Sequence, residues 1–141
     1  MATSVRTDPA TQAWKQMMRL VWSHRGRFIE SIGELGLSPM QAHALRFLER
    51  PVPMNELAET LWCDASNVTG IVDRLESRGL VERRASSDDR RVKLLCLTDE
   101  GEALRARVVE RMEQPPPELA SLEAGEQRQL AELLARTLGR P

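Results

Sequence analysis

Between Met54 and Thr98 the hydrophobic period changes from that of a helix to that of a strand, and this change organises the chain. Leu57, Ala58 and Leu61 share one face of a short helix, and a polar turn, Cys63-Asp64-Ala65, follows. Val68, Ile71, Val72 and Leu75 then recur at helical spacing, which predicts a helix over 65–78 with those four facing inward. Ser66, Asn67, Gly70, Asp73 and Arg74 remain on the opposite face. That face is small and polar near its N-terminus, with no long Lys or Glu. Such a surface can enter the major groove of a duplex, where hydroxyls and amides read base edges and bulk blocks approach. Gly79 closes the helix as a left-handed cap. Two extended runs follow, Leu80–Arg84 and Val92–Leu97, joined by the polar, basic tip 85–91. Helix, turn, helix and β-ribbon together predict a mainly α (α+β) chain: a winged helix-turn-helix with a two-stranded wing.

The segments SNVTGIVDRLESRGLVERR and DDRRVKLLCLTDEG closely resemble the MarR family of bacterial transcription regulators. Two stretches carry the resemblance. One runs from Val68 to Val81; the other joins Asp89-Arg90-Arg91 to Leu97-Thr98 and Gly101. The order of the flanking helices fits as well, so the resemblance covers nearly the whole chain. It implies a homodimer whose N- and C-terminal helices interlock.

Length and charge agree with this. A chain of 141 residues can bury a core of its own as one domain. Aromatic residues make up 4% and there is no Tyr, so stacking platforms for single-stranded nucleic acid are not the evident design. The net charge of -1 argues weakly against nucleic acid, but its distribution matters more. From Arg74 to Lys93 there are seven Arg or Lys against four Asp or Glu; from Asp99 to Glu132 there are four against nine. The wing region is basic and the C-terminal helices are acidic. Two cysteines without a spacing motif argue against a disulfide framework or zinc ribbon, and no metal or other cofactor is expected. No apolar leader opens the sequence and no run approaches the ~20 apolar residues of a membrane span, so a soluble, cytoplasmic protein without a membrane partner is expected.

Residues 1–7 read as an irregular start. Asp8-Pro9 is a helix opening, and Trp14, Met17, Met18, Val21, Trp22, Phe28, Ile29 and Ile32 extend a first helix over 9–33. This stripe is either core or a dimer seam. Ser38-Pro39-Met40-Gln41 is a capping box opening a helix over 39–49. Val52 can add a third, very short strand, and a poorly capped helix over 54–62 follows. Thr98 caps a helix reaching about Gln114, and Pro115-Pro116-Pro117 makes a stiff bend. A last helix over 123–138 carries Leu130, Leu133, Leu134 and Leu138, a stripe that needs a partner. The expected organisation is an N-terminal dimerisation helix (1–36), a DNA-binding lobe (37–100, wing 80–97) and C-terminal dimerisation helices (101–141).

For DNA, Asn67 can make a bidentate contact to adenine, while Ser66 and Thr69 can reach bases or phosphate. Gly70 admits close approach, Arg74 can meet phosphate or guanine, and Asp73 is expected to orient Arg74 or Arg78. The resemblance puts Arg91 in the minor groove, held by Asp89, with Arg90 and Lys93 adding phosphate contacts. Two such lobes in a two-fold dimer imply a palindromic operator with half-sites about 34–36 Å apart. The resemblance also implies a small aromatic or lipophilic effector, and Trp22, His24, Phe28, Met40, His43 and Phe47 are the candidate walls of its pocket. Cys63, just before a helix N-terminus, is either a redox-sensing thiol or a half-buried turn residue. Two other readings stand beside an effector-released repressor: a sequence-tolerant architectural DNA binder, and an interaction module. No catalytic constellation supports an enzyme.

Overall fold

The computed structural model describes residues 8–139, so the irregular start expected over 1–7 lies outside the described residues. Seven helices and three strands follow one another among them: α1 (Pro9–Gly33), α2 (Pro39–Phe47), β1 (Val52–Pro53), α3 (Met54–Leu61), α4 (Ala65–Ser77), β2 (Val81–Ala85), β3 (Lys93–Leu97), α5 (Asp99–Glu113), α6 (Pro117–Ala120) and α7 (Ala124–Leu138). They form two compact units. One is Gly26–Glu113; the other comprises the described residues of Met1–Arg25 and Gln114–Pro141.

The larger unit is a winged helix. Helix α2 starts at a full capping box: the Gln41 N–H donates to Ser38 Oγ (3.2 Å) and the Ser38 N–H to Gln41 Oε1 (2.9 Å). It packs on α3, α4 and α5. Leu45 and Leu48 from α2 and its C-cap meet Leu57 of α3, Val68, Val72 and Leu75 of α4, and Leu95 of β3 in one buried cluster. The sheet is antiparallel in the order β1-β3-β2, with Val52 opposite Leu95 and Val81 opposite Leu97. The third strand is thus present, tied to the wing by its two residues. Among the described residues no helix is long and apolar enough to cross a membrane.

Two glycines set the geometry where α4 gives way to the wing. Gly79 has φ +71°, and the Gly79 N–H to Glu76 O (2.9 Å) and Leu80 N–H to Leu75 O (3.0 Å) bonds complete a Schellman cap. Thr98 then bridges both ends of the wing. Its Oγ1 donates to Gly79 O (2.6 Å) and accepts from the Gly101 N–H (3.0 Å), while its own N–H donates to Leu80 O (3.1 Å). Gly101 is buried there, and a Cβ on it would lie 1.9 Å from Leu80 O.

In the smaller unit α7 opens with its own capping box, Glu123 with Glu126, and has no fully buried residue. The proline run does more than bend the chain: Pro117 sits in the first turn of the four-residue helix α6. Within one chain the stripe of α1 divides: Phe28 and Ile32 pack into the core of the larger unit. Only Ile32 of that helix is buried, whereas Trp14, Met17, Val21, Trp22 and Ile29 are exposed. Leu133 and Leu138 of α7 are exposed as well.

Replacing Gly101 by Ala forces a Cβ against the Leu80 carbonyl, which can yield only if the backbone moves. The variant is expected to lose about 1–3 kcal/mol or more in urea denaturation. A loss below about 0.5 kcal/mol, the range of ordinary surface substitutions, contradicts the packing described.

Candidate nucleic-acid interface

Helix α4 is anchored by its apolar face, so its other face is fixed outward. Ser66, Asn67, Thr69, Gly70, Asp73 and Arg74 are all exposed. The helix starts at Asp64, whose Oδ1 accepts from the Asn67 N–H (2.9 Å) and from Ser66 Oγ (2.8 Å). These bonds hold the Asp64 carboxyl below its usual pKa, the Asn67 amide first and the Ser66 hydroxyl second. Asn67 joins the cap through its backbone, so capping does not require its exposed carboxamide. The hydroxyls are partly engaged: Ser66 donates to Asp64 and Thr69 donates to Ala65 O (2.8 Å), which leaves their oxygens as acceptors.

The wing tip is a built turn. The Ser86 N–H donates to Val92 O (2.9 Å) and the Val92 N–H to Asp89 O (2.9 Å). Asp89 takes three bonds from Arg91: Nε to Oδ1 at 3.1 Å, Nη2 to Oδ2 at 3.3 Å, and the backbone N–H to Oδ1 at 3.0 Å. They hold the Asp89 carboxyl below its usual pKa, the guanidinium bonds first. The Arg91 side chain is nevertheless 91% exposed, a cation aimed but not covered. Arg90 and Lys93 are exposed beside it.

Asp73 does not take the partner expected from its neighbours in sequence. Arg78 instead reaches across to Gly36 O (2.7 Å). Asp73 Oδ1 accepts from Nη2 of Arg83 (2.7 Å), and the other arm of that guanidinium donates to Glu76 Oε1 (3.0 Å). Arg83 stands on β2, so this fork links the outward helix to the wing. Its pKa is raised, the Asp73 hydrogen bond being the main cause. Sequence reasoning passed over Arg83, but strand alternation carries a signal, since Arg83 lies two residues beyond buried Val81 and shares its face.

The six residues proposed as effector walls are only partly brought together. Met40, His43 and Phe47 line a cleft of about 790 Å³, joined by Arg46, Arg50 and Leu61. Phe28 backs it, its ring 5.8 Å from that of His43. Trp22 and His24 are not among the lining residues. Trp22 is exposed with the Arg25 guanidinium 5.6 Å over its ring, and Nδ1 of His24 is buried without a hydrogen-bond partner. Cys63 is half-buried, its thiol directed at Leu61 O (3.3 Å), and Cys96 is buried. Among the described residues no cluster of His, Cys, Asp and Glu could hold a metal ion.

His43 keeps an exposed edge, but packing desolvates its ring and Arg46 adds a like charge, so its pKa lies below the ordinary value. A depressed pKa means that the unfolded chain takes up the proton first. The His43 contribution to stability is full above the unfolded value of about 6.5 and is lost as pH falls through the lower folded value. Melting temperature should therefore drop on acidification across that window, and His43→Gln should flatten the drop. An identical pH profile for the variant would contradict this assignment.

Comparison with known proteins agrees with the geometry. The MarR family model matches residues 37–93, from just before α2 to the start of β3. Over 76 residues the chain is 38% identical to the HTH-type transcriptional repressor MdtR of Bacillus subtilis, covering 52% of this chain and 49% of MdtR, so it spans about half the length of that relative. The crystal structure of YusO from Bacillus subtilis aligns at 28% identity with a TM-score of 0.72, covering 94% of this chain and 96% of YusO. The reduced form of MarR from E. coli aligns at 26% identity with a TM-score of 0.75, covering 89% and 96%. Residues 37–93, which make the winged helix, match the MarR family, and the chain is similar to these proteins over most of its length.

Proposed function

We propose that this chain is a transcription regulator, a repressor, that binds a palindromic duplex operator as a homodimer. One observation carries the reading: an exposed, small-residue face on α4 stands beside a wing whose Arg91 is oriented by Asp89 and left open to solvent. In this reading α4 enters the major groove. Asn67 contacts a base edge there, the hydroxyl oxygens of Ser66 and Thr69 accept from base amino groups, and Gly70 lets the backbone approach. Arg74, Arg90 and Lys93 meet phosphates, and Arg91 enters the minor groove. Asp73 holds Arg83 and keeps the wing in register with the helix.

Dimerisation is supported by the exposed stripe Trp14, Met17, Val21, Trp22 and Ile29 on α1 and by Leu133 and Leu138 on α7. A two-fold partner would cover them and place two α4 helices about 34–36 Å apart, one duplex turn. The cleft lined by Met40, His43 and Phe47, with Arg46, Glu49 and Arg50 also in its wall, suits a small aromatic or lipophilic effector. Its binding would release DNA only if it favours one spacing of the two lobes. MdtR, the similar protein of Bacillus subtilis, is itself named a repressor, which supports the sign of regulation.

Binding to a selected duplex, followed by fluorescence anisotropy across salt, tests the site. Arg91→Ala is expected to weaken binding about tenfold and to reduce the salt slope by about one. Asn67→Ala should narrow the preference for the selected sequence by about 1–3 kcal/mol while leaving the slope in place. Unchanged affinity in Arg91→Ala would remove the wing from the interface. Equal binding to all duplexes by the unaltered protein would favour a sequence-tolerant architectural binder.

A further inference from the structure

The turn between α3 and α4 holds a residue that folding alone does not account for. Trp62 caps α3 in the left-handed region (φ 53°, ψ 37°), and it is the only non-glycine residue at positive φ among the described residues. A side chain with a Cβ is disfavoured there, and glycine or asparagine is the usual occupant. Its backbone N–H donates to Ala58 O and Glu59 O, which fixes the conformation as the stop of α3. The side chain gains almost nothing from the fold in return, since Trp62 is 95% exposed. A single exposed apolar residue is common on protein surfaces. An indole held at positive φ, fully in solvent, is a different case. Glycine at this position would remove both the backbone strain and the exposed ring.

The position of Trp62 gives the ring a use. Asp64, two residues on, is the N-cap of α4, and Ser66 and Asn67 follow in its first turn. At about 3.8 Å per residue, Trp62 lies within about 15 Å of the Cα of Ser66 even if the chain were fully extended. The N-terminal residues of a recognition helix are those that approach the bases, so the turn before them borders the groove. Indole Nε1–H is a donor with no acceptor capacity, which suits a phosphate oxygen, and its ring can cover the adjoining sugar. We infer that Trp62 is a DNA-contact residue, its indole seated on the sugar–phosphate backbone at the edge of the groove entered by α4. This rests on the DNA-binding reading above. A contact of this kind is neutral and reads no base. It therefore adds affinity for every sequence alike, and no change in counterion release accompanies it.

The test uses the full chain and two duplexes, one selected by the protein and one of unrelated sequence. Trp62→Gly is expected to melt a few degrees higher because the left-handed strain is relieved. It is expected to bind both duplexes about tenfold more weakly, with the salt slope and the ratio between the duplexes unchanged. Trp62→Asn, which also tolerates positive φ, should lose affinity to the same extent. Wild-type affinity in either variant overturns the inference and leaves the DNA-binding reading intact. A loss confined to the selected duplex overturns it too, since that would make Trp62 a base-reading or helix-positioning residue. Failure of the unaltered protein to bind any duplex would instead overturn the DNA-binding reading, and this inference with it.

Discussion

Helix α4 has one face that must be buried and one that cannot be. Val68, Val72 and Leu75 are almost entirely removed from water, packed against α2, α3 and the sheet. Each contributes on the order of 1.5–3 kcal/mol relative to exposure, so the helix cannot roll about its axis without losing most of the lobe's core. The opposite face is then fixed toward solvent whatever it carries. What it carries is short, polar and uncluttered from Ser66 to Gly70. The same burial orders the rest of the unit. Gly79 ends α4 where Leu80 and Val81 must enter the core, and Thr98 and Gly101 return the chain against that turn.

The electrostatics of the outward face turn on Arg83. Asp73 and Glu76 put two carboxylates on a helix that would lie against phosphates, and alone they would oppose binding. The Arg83 fork occupies both, at 2.7 and 3.0 Å. Its side chain is partly exposed, and pairs of that kind contribute only about 0–1 kcal/mol to stability. Their consequence is geometric: helix and wing are tied by a planar guanidinium with fixed donor directions. Arg91 repeats the arrangement at the tip, where Asp89 sets the direction of the guanidinium without burying it. The net basic charge from Arg74 to Lys93 is thus concentrated in the cations that are left open.

Much of this was legible in the sequence because it follows local rules. The helix starts at Asp8, Ser38 and Asp64 and the left-handed Gly79 each depend on residues within a few positions of one another, while the Asp89–Arg91 pair came from the family resemblance. The contacts that escaped are long-range or set by another element. Sequence distance favours near neighbours for Asp73, but the packing of β2 against α4 brings Arg83 within 2.7 Å of it. Arg78 was drawn away by a carbonyl 42 positions earlier. The candidate pocket was overdrawn because helical spacing places residues on a face without saying which face meets which neighbour. Met40, His43 and Phe47 line a cleft while Trp22 does not. Trp62 escaped for another reason: tryptophan carries no signal for positive φ, and the demand came from the tight turn between α3 and α4. Helix α6 was missed because three prolines read as a stop, although proline is well suited to a first helical turn.

The central claim is that the solvent face of α4 and the wing act together, twice in a two-fold dimer, to read duplex DNA. The most direct measurement is selection from a random duplex pool with the purified full chain at near-physiological salt, followed by sequencing. The account predicts enrichment of a two-fold symmetric motif whose half-sites are centred about 10–10.5 base pairs apart. A pool that stays unbiased, with retention that fades smoothly as salt rises, would contradict it.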